Sequence, residues 1–279
     1  MNAVAELAIR ELEVAGAAGP LAARLYAVAG VRGKKETLVV FFHGGGFVEG
    51  DLDEPDQFLR RMSSAACGGA NQLVLASRYT LATEAPFPAA VEDAHAVLKW
   101  AKKNKAKLGW NGTYLVVAGI EAGANLAAVC ALMSRDRGGP DLAAQILIMP
   151  MLDPGLTTCS MREVKLDDAM AGVADKCAAS YRDYLPNGAD RTHPYASPLQ
   201  SSRLKNLPPA LILSAEDDPL RDEAEQYAAK LSAAGVATTL KRLSAVSLED
   251  ATARNECACA GSAIVEISRF LASLAPPPS

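Results

Sequence analysis

Gly119-Ile120-Glu121-Ala122-Gly123-Ala124-Asn125-Leu126 decides how this 279-residue chain is read. It follows Tyr114-Leu115-Val116-Val117-Ala118, an apolar run of strand length, and leads into an alanine-rich stretch that predicts a helix. Glycines on both sides of one residue permit a sharp strand-to-helix turn that presents that residue at the bend. Such a turn usually reads Gly-x-Ser-x-Gly and displays a hydroxyl. Here the displayed residue is Glu121, and no Gly-x-Ser-x-Gly occurs anywhere in the chain.

Outward from this corner, strands and helices alternate. Strands are predicted over 21–28, 36–42, 72–76, 144–149, 210–214 and 238–243, and helices over 54–67, 88–105, 164–184, 223–234 and 257–274. That rhythm predicts a mostly parallel sheet with helices on both faces, folded as one domain over 1–279. Residues 152–206 break the rhythm with polar, Pro- and Asp-rich sequence. They are read as an insertion over the carboxyl ends of the strands, where open α/β sheets bind ligands.

Composition narrows the partners. A formal charge of −4 with mixed signs gives no basic face for nucleic acid. No long uninterrupted apolar run suggests a membrane span, and Glu6 and Glu11 interrupt the N-terminal apolar region, unlike a signal peptide. A cytoplasmic protein is expected. The six cysteines form no C-x-x-C pair and the three histidines stand apart from them, so no metal site is expected and the thiols are read as reduced and mostly buried. No G-x-G-x-x-G after a strand and no Walker loop is present, so no cofactor is expected. The expected partner is a small molecule, with a homodimer left open.

Four segments in order give the chain a resemblance to a known family. His43-Gly44-Gly45-Gly46-Phe47-Val48-Glu49-Gly50-Asp51 forms the first, and Tyr79-Thr80-Leu81-Ala82-Thr83-Glu84-Ala85-Pro86-Phe87-Pro88 the second. The Glu121 corner is the third, and Asp218-Pro219-Leu220-Arg221-Asp222-Glu223 the fourth. Together they resemble the hormone-sensitive-lipase-like esterases of the α/β-hydrolase superfamily. The resemblance implies an oxyanion hole from the amides of Gly44, Gly45 and Ala122, and places Asp218 at the position of the triad acid. Asp218 reads equally well as a helix cap. It implies a serine where Glu121 stands and a histidine in the turn where Leu248 or a neighbour stands, yet no histidine follows His193. Helices near the start of that family normally cap the site, whereas this chain starts almost at its first strand. A more open mouth, or one closed by a partner, is the expectation.

Ordinary serine-esterase chemistry needs the hydroxyl and the base. The leading expectation is therefore a non-hydrolytic enzyme, of cyclase, lyase, isomerase or decarboxylase type, acting on a small carbonyl compound. Glu121 would be the general acid or base, its carboxyl raised from about 4.3 toward neutrality by an apolar pocket. The alternatives are a pseudo-esterase that binds or senses a ligand without turnover, and a weak or unusual hydrolase. His43, Phe47, Met151 and His193 are the further candidates for ligand contact.

Overall fold

The computed structural model describes residues 6–64, 72–163, 169–244, 253–259 and 261–274. The strands are β1 Leu7–Ala15, β2 Pro20–Val28, β3 Lys35–Phe42, β4 Gln72–Ser77, β5 Trp110–Ile120, β6 Ala144–Ile148, β7 Ala210–Ala215 and β8 Thr238–Leu243. They form a single sheet in the order β1-β2-β4-β3-β5-β6-β7-β8. β1 and β2 pair antiparallel, β2 meets β4 antiparallel, and every pairing from β4 to β8 is parallel. The mostly parallel, helix-covered sheet expected from the sequence is thus present.

Burial on both faces explains why the central strands read as continuous apolar runs rather than alternating ones. Side chains still alternate along each strand. In β3, Leu38, Val40 and Phe42 enter one core, and Val39 and Phe41 the other. The first core is covered by α2 (Ala89–Lys103), α4 (Ala122–Asp136) and α7 (Arg221–Ala233). The second is covered by α1 (Asp56–Ser63), α8 (Ala253–Cys259) and α9 (Gly261–Leu274).

Two sequence expectations need correction. No strand is predicted before residue 21, yet Leu7–Ala15 is a strand and pairs with β2 along its whole length. Its largely solvent-facing pattern, with Arg10, Glu11 and Glu13, suits the edge of the sheet, where charge discourages further pairing. The closing helix is two helices, α8 and α9. Among the described cysteines Cys130, Cys177, Cys257 and Cys259 are buried and free, as read, while Cys159 is exposed. None of the described helices is long and apolar enough to cross a membrane.

The strand order reverses at β3, with β4 on one side and β5 on the other. This switch point opens a crevice beyond the carboxyl ends of β3 and β5, the usual ligand position in such sheets. Phe42 ends β3, so the Gly44–Phe47 loop lies at that crevice, and Glu121 follows the last residue of β5. The segment between β6 and β7 supplies α5 (Cys159–Arg162), α6 (Ala169–Tyr184) and two 3-10 turns, Gly188–Thr192 and Pro198–Gln200. Tyr184 of α6 stacks on Phe47 with ring centroids 3.8 Å apart, so the insertion packs directly on the glycine loop.

Gly123 holds α4 against β3. A Cβ there would lie 2.1 Å from the carbonyl oxygen of Phe42 and 2.4 Å from that of His43. Backbone cannot yield as a flexible side chain would. Gly123→Ala is expected to cost about 3 kcal/mol or more by overpacking, read as a lowered urea midpoint with an unchanged slope.

Candidate functional site

Glu121 is placed by its backbone before its side chain matters. Its N–H donates to Ile148 O at the end of β6 (3.0 Å), and its carbonyl accepts from Met151 N (3.2 Å) and from Ala124 N and Asn125 N in α4 (3.1 Å each). The φ of +53° and ψ of −112° lie where non-glycine residues are strained. Four hydrogen bonds hold that conformation and direct the side chain into the crevice.

There the carboxylate meets donors. Oε2 accepts from Gly45 N (2.6 Å) and Gly46 N (3.0 Å). Oε1 lies 3.4 Å from Nη1 of Arg254, which reaches in from α8. The same guanidinium donates to Asp218 through Nε (3.0 Å, to Oδ2) and Nη2 (2.9 Å, to Oδ1), a two-point pairing. Asp218 Oδ1 also accepts from Leu220 N at 2.9 Å, a turn contact. α7 starts at Arg221 with Leu220 as its N-cap and no side-chain cap, so Asp218 is not the helix cap expected. Residue exposures are 9% for Glu121, 1% for Asp218 and 4% for Arg254. Burial alone would lower the guanidinium's pKa, but Asp218 and Glu121 more than offset it and hold the group above its ordinary value.

The sequence-based site is corrected in several places. The amides that converge on the carboxylate belong to Gly45 and Gly46, one residue further along than the expected Gly44 and Gly45. Gly45 at φ +101° takes a conformation suited to glycine, and its missing Cβ would strike Glu49 O at 2.2 Å. Gly44 instead offers its carbonyl, 2.7 Å from His43 Nδ1 and 3.3 Å from the Tyr79 hydroxyl that donates to it. Ala122 begins α4 and is buried. The surroundings of Glu121 are hydrogen-bond donors rather than the apolar lining expected.

The further contact candidates are spread out. His43 is stacked on Tyr79 at 4.4 Å and buried; burial pushes its pKa down to about 4, against the opposing pull of its Gly44 bond, so the ring is neutral at pH 7. Phe47 and Met151 are fully buried in the core rather than displayed to a ligand. His193 is exposed, its ring near Phe87 and Tyr195 and its Nδ1 accepting from Tyr195 N. It makes no hydrogen bond to Glu121. Leu248 lies outside the described residues. Among the described residues no group of three His, Cys, Asp or Glu could hold a metal ion.

Two residues were missed. Arg254, 133 positions from Glu121, had only a weak signal, a lone cation in an alanine- and cysteine-rich helix. Glu223 had a better one, closing the Asp218–Glu223 motif. It is fully buried, with Oε2 accepting from Leu152 N (2.7 Å) and Asp153 N (3.0 Å). Burial pushes its carboxyl up to about 8, with Asp153 and Asp218 adding to the shift and the two amides opposing it.

Similarity to known proteins agrees with the fold. A family model described as alpha/beta hydrolase fold matches residues 39–247. The esterase LipI of Mycobacterium tuberculosis is 37% identical over 83% of this chain and 71% of its own length. An arylesterase of Saccharolobus solfataricus is 34% identical over 72% of this chain and 64% of its own. The chain spans 63% of the carboxylesterase NlhH of M. tuberculosis at 38% identity. Among solved structures, EstE1, a thermostable carboxylesterase from a metagenomic library, superposes with a TM-score of 0.85 at 32% identity, covering 99% of this chain and 92% of that one. The Pyrobaculum calidifontis esterase gives 0.82 at 36% identity, over 96% and 85%.

Two outcomes test the site's electrostatics. Arg254→Leu strands two buried carboxylates and is expected to cost about 3–5 kcal/mol; adding Asp218→Asn and Glu121→Gln should recover much of that loss in the same denaturant titration. Glu223 tests the pH dependence. Below its ordinary value of 4.5 the carboxyl is protonated in both folded and unfolded chains. Between there and about 8 only the unfolded chain ionises, so folding loses stability as pH rises, and the loss is complete above 8. Glu223→Gln, which does not ionise, should therefore gain on the wild type from about pH 5 to about pH 8. A stability difference flat across that range would contradict it.

Proposed function

This chain belongs to the α/β-hydrolase-fold family, and on that premise we propose that it binds a small carbonyl compound of the ester class without serine-type turnover. One observation carries the reading: the Glu121 carboxylate accepts the Gly45 and Gly46 amides. In an esterase, amides so placed stabilise the oxyanion that develops on the substrate. Here a resident anion takes them up. A second anion forming beside it would meet like charge.

The partner of Asp218 supports the same reading. An acid in this position orients a base that can accept and return a proton. Arg254 remains protonated at any physiological pH and accepts no hydrogen bond, so it cannot act as that base. The triad in this chain is therefore read as replaced: carboxylate for hydroxyl, guanidinium for imidazole. Acid–base catalysis by Glu121, the leading expectation from sequence, requires the carboxylate to leave three donors before it handles a substrate proton. The geometry favours binding over that route. A hydrolase of unusual mechanism is the second reading, favoured by the esterase names of the relatives at 34–38% identity.

Three measurements separate these readings. A fluorophosphonate probe is expected to leave the protein unlabelled, and p-nitrophenyl acetate and butyrate to be hydrolysed at the rate of a protein-free control. Labelling of any serine with matching turnover would establish the hydrolase instead. Turnover of a carbonyl compound that Glu121→Gln abolishes while leaving its binding intact would establish acid–base catalysis.

A further inference from the structure

We infer that the Gly45 and Gly46 amides and the Arg254 guanidinium form a receptor for a small monocarboxylate, held shut by the chain's own Glu121, an inference that rests on the absence of serine-type turnover proposed for the same site. Glu121 is then a tethered ligand rather than a reacting group.

The donor set fits a carboxylate in shape. One oxygen takes two converging N–H groups and the other faces a guanidinium. Such planar, divided donation suits two oxygens on one carbon. The charge also fits a single negative ligand. Asp218 pairs with Arg254 at two points, so these two groups sum to zero. Glu121 brings the total to −1. A free monocarboxylate in an emptied site restores that total, whereas a dianion exceeds it in a corner with little access to water.

Size follows from covalent structure. Cut at its Cα–Cβ bond and capped with hydrogen, the Glu121 side chain is propionate. Glu121→Gly therefore empties the volume of this acid. The same substitution relieves the positive φ, which glycine adopts without strain, so the variant has a backbone reason to fold. In the wild type the tether supplies the competing carboxylate at an effective concentration on the order of millimolar or above. External carboxylate should scarcely register until the tether is gone.

Thermal melts and calorimetric titrations with sodium propionate, at ionic strength matched with sodium chloride, test this. Glu121→Gly should bind propionate, and a tenfold excess over Kd should raise its melting temperature by roughly 3 °C. Wild type and Glu121→Gln, whose side-chain oxygen still fills the hole, should not respond. Glu121→Gly/Arg254→Lys keeps a cation beside Asp218 but loses the fork, and should bind at least about tenfold more weakly, the equivalent of roughly 1.4 kcal/mol. A folded Glu121→Gly indifferent to propionate overturns the inference, as does equal binding in the Arg254→Lys double variant or an equal response to inorganic phosphate. If Glu121→Gly does not fold, Glu121→Ala takes its place under the same criteria. Ester turnover by the wild type would remove the binding reading while leaving a positive propionate result standing. A negative result beside an inactive wild type removes this inference alone.

Discussion

Three charged side chains share one nearly dry corner, and each survives there because it meets a partner. Isolated, any of them would cost several kcal/mol in desolvation. Asp218 is satisfied by two guanidinium nitrogens and a backbone amide, and Glu121 by two amides and the remaining arm of the guanidinium. The arrangement draws on four separate parts of the chain: the loop after β3, the bend after β5, the turn after β7 and the helix α8. Its geometry therefore depends on the whole sheet being in register.

The bend itself illustrates how the fold constrains chemistry without determining it. Gly123 lets α4 approach β3, and the resulting turn presents whatever residue stands at 121. The scaffold accommodates a carboxylate there because local donors meet it. Fold and reaction are separable in this way because the site is a small graft on a large frame. The frame here is shared with esterases.

What the sequence disclosed and what it hid follow from range. β3, β5 and β7 were legible because strands buried on both faces must be apolar throughout. The corner at Glu121 was legible because two glycines flank it. Asp218 was legible as part of a run of adjacent residues. β1 was missed because an exposed edge strand carries charge in place of the apolar signal. That the Gly45 and Gly46 amides converge on Glu121 was not legible, because convergence depends on their backbone angles, +101° and +61° in φ, and not on their order in sequence. Arg254 was missed because its partners lie 36 and 133 residues away, and no local pattern marks such a pairing.

That separation has a consequence for how the protein is made. A chain emerges from the ribosome N-terminus first, at several to about twenty residues per second, and domains organise as they emerge. Both acids of the corner are exported before the cation that neutralises them. Until residue 254 appears, the two carboxylates lack the guanidinium that pairs with both. The last helices thus act as a late checkpoint. Only a chain translated through α8 acquires the cation that pairs with both carboxylates.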